Sequence, residues 1–105
     1  MRVPYPHVER PVMVVRPALV VSRRSVGPDG MLVWTMMITN AEHDGWPDDV
    51  AIPEWDTIGL LIPSKVRTAK IAAVEARTAT LLGRVAAQTW RAVADRLHEV
   101  VQAAP

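Results

Sequence analysis

Residues Val12–Ser22 read VMVVRPALVVS. Two short apolar runs, Val12–Val15 and Ala18–Ser22, flank an arginine–proline pair, and neither run contains a turn former. Runs of this kind predict strands packed on both faces or curled round a core. Proline has no N–H to give a ladder, so it is tolerated where a strand begins, and it biases the residue before it to extended backbone. The spacing therefore predicts that Pro17 opens a strand and fixes Arg16 just ahead of it. A guanidinium there is a permanent charge with five donors in a rigid fork, suited to two phosphate oxygens at once. The alternative role is an edge charge that discourages strand pairing.

Downstream, Arg23–Gly30 (RRSVGPDG) is a loop, with Pro28, Asp29 and Gly30 as consecutive turn formers. Met31–Thr39 (MLVWTMMIT) predicts the most apolar strand, with Leu32, Trp34, Met36 and Ile38 on one face and Val33, Thr35, Met37 and Thr39 on the other. Trp34 is assigned to the core. Glu42–Asp56 is a polar loop interrupted by the apolar VAI, in which Trp46 reads as a packed anchor rather than a base-stacking platform. Lys65–Glu75 predicts a further strand whose alternation slips near Lys70 and Ile71, the mark of a bulge. Leu81–Gly83 suggests a short turn of helix. From Gln88 onward, Trp90, Val93, Ala94, Leu97, Val100 and Val101 recur at helical spacing, opposite Arg91, Asp95, Arg96 and Glu99. Short strands followed by one amphipathic helix predict an α+β, mostly β fold, a small barrel or half-barrel.

A chain of 105 residues predicts one domain over 1–105, marginal as an isolated monomer, so self-association is expected. There is no cysteine, which excludes disulfide and thiolate chemistry. No apolar run approaches the roughly 20 residues of a membrane span, and the N-terminus lacks signal-peptide character. A cytoplasmic protein is expected. The net charge of +1 conceals an acidic segment, residues 42–56, with six carboxylates and no lysine or arginine, between two basic ones. A basic surface for a polyanion is compatible with that distribution, as is a solvated acidic loop.

No nucleotide-binding glycine motif, nucleophile elbow or paired metal-binding histidine motif occurs; His7, His43 and His98 lie in three separate regions. Catalysis would fall to arginine, threonine, serine and a carboxylate.

Taken together, RVPYPHVERPVMVVRPALVVS, LVWTMMITNAEHDGWPDDV, GLLIPSKVRTAKI and LLGRV resemble, in order and over roughly Arg2 to Leu97, the MazF/PemK family of toxins from type II toxin–antitoxin systems. The resemblance implies an SH3-like barrel with a C-terminal helix, assembled as a homodimer. It also implies an endoribonuclease that needs neither metal nor cofactor, cuts single-stranded RNA through its own 2′-hydroxyl, and is silenced by a cognate antitoxin. By the same resemblance Arg16 contacts the scissile phosphate, Thr39 hydrogen-bonds it and Arg67 is a second catalytic arginine. Ser22, Arg23, Arg24 and Ser64 are RNA-binding candidates, each with a loop, turn or solvated alternative.

Two departures from the family pattern bear on function. Ala69 stands where a carboxylate is common and Ala72 where an arginine is expected, so no general base is assigned; Glu9, Glu42 and His43 are the candidates. The start MRVPYP also replaces the usual lead into an apolar first strand, so either the first strand is shortened or the true start lies upstream. The alternative function is a non-catalytic module that binds its antitoxin and, with it, operator DNA.

Overall fold

The computed structural model describes residues 2–6 and 13–101, with side chains from residue 16 onward. Five strands, β1 (Arg2–Pro6), β2 (Met13–Val20), β3 (Leu32–Asn40), β4 (Asp49–Ile52) and β5 (Ser64–Glu75), precede one α-helix, α1 (Ala87–Val100). Every pairing is antiparallel, in the order β1-β2-β3-β5-β4. Among the described residues no pairing joins β1 to β4, so the mostly β fold with its C-terminal helix is an open half-barrel rather than a closed barrel.

The arginine–proline pair does not separate two strands. β2 runs straight through it, and the strand instead changes partner there: Met13–Pro17 pair with β1, Ala18–Val20 with β3. Pro17 is the last residue of one ladder and directly precedes the other, the place in a continuous strand where a missing N–H costs least. The short VAI also proves to be ladder, forming β4 with Asp49 and pairing with the first residues of β5.

The slip expected in β5 is real. Met36 pairs with Ile71 and Met37 with Arg67, leaving Thr68, Ala69 and Lys70 without a partner on β3. The bulge divides β5 into a first part held between β3 and β4 and a second part paired with β3 alone.

One face of the sheet carries the main core: Met36, Ile38, Val50, Ile52 and Val66, closed by Val93 of α1, with Leu19, Trp55, Ile58 and Leu97 at its margin. A smaller cluster, Ala18 and Val74 with Val33 and Ala72, lies on the opposite face. α1 packs over β4 and β5 and leaves the far end of β3 uncovered. Trp34, expected in the core, therefore stays 51% exposed. The helix is also turned from the expected stripe: Thr89 and Val93 are buried, whereas Trp90, Val100 and Val101 are exposed. Residues 81–83 form no helix. Gly83 lies against the Ile58 backbone, where an added Cβ would stand 3.0 Å from the carbonyl oxygen, so the segment runs along residues 58–60 as a strap.

A carboxylate from outside the helix anchors α1. Ala86, at the N-cap, has no capping side chain. Glu54 takes that role: Oε2 accepts the Ala86 N–H at 2.5 Å, and the Thr89 hydroxyl donates to the same carboxylate at 2.9 Å. Burial pushes the Glu54 carboxyl up, but the Ala86 N–H, its own backbone N–H and the Thr89 hydroxyl outweigh burial and hold it below the usual glutamate range.

Glu54→Ala is expected to lower stability by about 1–3 kcal/mol at neutral pH, as for a lost hydrogen bond to a charged group. The folded pKa is depressed, so this contribution is complete above roughly pH 4.3 and is lost as pH falls through the lower folded value. Urea unfolding of both proteins should show the gap narrowing in acid; an undiminished gap at low pH would contradict it.

Candidate nucleic-acid-facing site

Residues opposite each other in antiparallel strands project to the same face. On the face away from α1, Met37 pairs with Arg67 and Arg67 with Asp49, while Thr39 pairs with Lys65. Ala18 pairs with Met37, and carrying that register on by two residues brings Arg16 level with Thr39. The sheet therefore places Arg16, Thr39, Lys65, Arg67 and Asp49 on one face of four neighbouring strands.

Their environments differ sharply. Arg16 is exposed, and among the described residues no hydrogen bond or ion pair engages it. Arg67 is buried, its Nε and Nη2 donating to the Asp49 carboxylate at 3.3 and 3.2 Å and Nη2 also to the Asp44 carbonyl at 2.6 Å. Lys65 is buried beside it, its Nζ 3.3 Å from Asp49 Oδ2 and donating to the His43 carbonyl at 2.6 Å. Two cations thus share one carboxylate, and the cluster retains positive charge. Burial raises the Asp49 carboxyl, but hydrogen bonds from Arg67, the Trp46 N–H and Lys65, with the Arg67 charge, more than offset it, so its pKa lies below the usual aspartate range.

Trp46 closes the cluster. Its ring lies 4.3 Å from the Arg67 guanidinium carbon and 5.3 Å from Lys70 Nζ, and its backbone N–H donates to Asp49 Oδ2 at 2.9 Å. It anchors the loop, as the sequence suggests, yet stays 41% exposed. The Thr39 hydroxyl, nearly buried, lies 2.7 Å from Nδ1 of the exposed His43.

The remaining candidates lie apart from this cluster or serve the backbone. Ser22 Oγ accepts the Trp34 N–H at 3.1 Å, and Ser64 is buried with its hydroxyl donating to the Ile62 carbonyl at 2.7 Å. Arg23 and Arg24 are exposed on the loop after β2. Glu42 is exposed, whereas Glu9 and His7 lie outside the described residues. Ala69 sits in the bulge of β5, and Ala72 pairs with Thr35. No group of three or more histidine, aspartate or glutamate residues able to hold a metal ion occurs among the described residues. A cavity of about 270 Å³ beside residues 82–85 is lined mainly by apolar side chains, including Leu19, Ile38, Leu60 and Trp90, together with Arg84.

Lys65 and Asp49 are the residues the sequence reading missed. Their signal was present: Lys65 and Arg67 are two apart on a strand, so both project to one face, and two desolvated cations demand a nearby anion. Asp49, first residue of the strand ahead of VAI, supplies it.

Asp49→Ala removes the shared anion of two buried cations and should cost about 3–5 kcal/mol. Chemical denaturation at neutral pH checks this; a loss under 1 kcal/mol would show that water screens the cluster.

The family model for the PemK-like, MazF-like toxin of type II toxin–antitoxin system matches residues 3–101. Among solved structures, the Mycobacterium tuberculosis toxin MazF-mt6 is similar in fold, with a TM-score of 0.65 at 21% sequence identity over 94% of each chain. No curated protein sequence matches. With nearly its whole length inside the family's span, the chain belongs to the PemK-like, MazF-like toxins of type II toxin–antitoxin systems.

Proposed function

We propose that the chain, acting as a single domain, is a metal-independent endoribonuclease. It cuts single-stranded RNA at a short sequence in the cytoplasm, works as a homodimer, and is restrained by an antitoxin that covers the same face. The observation that carries this reading is Arg16: an exposed, unengaged guanidinium level with Thr39, on a face where Lys65 and Arg67 outnumber Asp49. The nucleophile is the RNA's own 2′-hydroxyl, so the protein has only to orient the phosphate, stabilise developing negative charge and move protons. Arg16 takes the scissile phosphate and stabilises the leaving oxygen, while the Thr39 hydroxyl donates to a non-bridging oxygen. Arg67 adds positive potential from behind its contact with Asp49. Exposed Arg23 and Arg24 hold the RNA backbone further along. The half-exposed Trp34 and Ile71, on the uncovered part of the core face, support association with a second copy.

One observation favours the second reading, a binding module that joins its antitoxin on operator DNA: Arg67 is committed to Asp49 and the Asp44 carbonyl, leaving Arg16 as the unengaged arginine of this cluster. Incubating the chain and Arg16→Ala with a long unstructured RNA in excess chelator separates the two. Loss of one charged donor should lower cleavage by about 10²–10³-fold, with the urea midpoint unchanged because Arg16 is exposed. Equal cleavage by the variant would remove Arg16 from the chemistry, and intact RNA with folded wild type would favour the binding module.

A further inference from the structure

The Thr39–His43 contact has chemical content beyond packing. A phosphate oxygen only accepts hydrogen bonds, so a threonine that binds it spends its single hydroxyl proton there. The 2.7 Å contact between Thr39 Oγ1 and His43 Nδ1 then requires the imidazole to be the donor. A neutral imidazole that donates from Nδ1 carries its lone pair on Nε2. His43 is an exposed residue with its ring against Thr39, on the face over which an RNA strand would lie. The residue is also held in place: Lys65 Nζ donates to its carbonyl, and its own N–H donates to the Asn40 carbonyl at 3.0 Å.

We infer that His43 is the general base of the proposed cleavage, its tautomer selected by the Thr39 hydroxyl once Thr39 is committed to phosphate. This rests on the ribonuclease reading above. In the step, Nε2 takes the proton of the 2′-hydroxyl as the O2′–P bond forms, and the P–O5′ bond breaks. O5′ leaves toward Arg16 and takes a proton from water, giving a 2′,3′-cyclic phosphate and a 5′-hydroxyl; the imidazolium then returns its proton to solvent. No water is consumed and no oxidant or metal enters the balance. The assignment explains how a chain with Ala69 in place of a carboxylate performs the reaction.

Among the described residues, the charged groups around His43 are Glu42 and Asp44 beside it in the chain, Lys65 at its carbonyl, Asp49 and Arg67 in the adjoining cluster, and Arg16 on β2.

The test is the pH dependence of kcat/KM for wild type and His43→Ala on one oligonucleotide containing the mapped cut, from pH 5 to 9, with and without added imidazole. Wild type should show a single acidic limb, as a general base requires. His43→Ala should fall by about 10²–10⁴-fold, lose that limb and regain rate with imidazole, while binding a 2′-deoxy-substituted oligonucleotide as tightly as wild type. A variant that cleaves at the wild-type rate with the same limb overturns the inference and leaves the ribonuclease reading standing. Folded wild type that cleaves no RNA overturns both. A variant that has lost binding together with cleavage, without imidazole rescue, assigns His43 a structural role and overturns it as base.

Discussion

The candidate site depends on one carboxylate. Asp49 stands at the start of β4, where its side chain meets two cations that the β5 register sends to the same face, all three about nine-tenths buried. Buried cations are costly without a partner, and an anion at this point turns that cost into a constraint on chain path. Asp49 also accepts the Trp46 N–H, closing the turn in which Asp48 takes a left-handed conformation, φ 69°. Besides Asp49, Lys65 donates to the carbonyl of His43 and Arg67 to that of Asp44. Residues 43–49 are thereby pinned to β5, and His43 is brought to Thr39.

Much of this was legible in the sequence, for reasons that can be given residue by residue. The apolar strand from Met31 to Thr39, the slip at Lys70–Ile71 and the C-terminal helix each follow from side-chain period, a local property. The partner change at Pro17 was not legible, because a proline inside a strand and one at its start look alike until the neighbouring strands are known. Trp34 was misread for a related reason: strand alternation says which face a residue is on, not whether a helix reaches far enough to cover it. Leu81–Gly83 forms no helix, and Gly83 lies instead against Ile58, some twenty-five residues away in sequence. At the site, the family resemblance named Arg16, Thr39 and Arg67, but the pairing of Arg67 with Asp49 and the placing of His43 beside Thr39 come from loop closure that no local pattern encodes.

The acidic segment between the basic ones now has a physical account. Asp49 neutralises part of a cation cluster, Glu54 anchors the helix N-terminus, and Asp48 lies 3.7 Å from Arg96. Three of its six carboxylates are engaged within the fold, so the nearly neutral total charge understates the positive character of the sheet face that carries Arg16. A face of this kind suits a reaction whose nucleophile is carried by the substrate, since orientation and charge stabilisation are then most of what the protein must supply.

If this face cleaves RNA by 2′-hydroxyl attack, the chemistry of the product ends must show it. Long unstructured RNA would be incubated with the purified chain in excess chelator and the new termini identified by mass spectrometry. Attack by the 2′-hydroxyl gives discrete cuts bearing 2′,3′-cyclic phosphate and 5′-hydroxyl ends, abolished by a single 2′-deoxy substitution at the cut. Ends bearing 5′-phosphate and 3′-hydroxyl, or RNA left intact by folded protein, would contradict it.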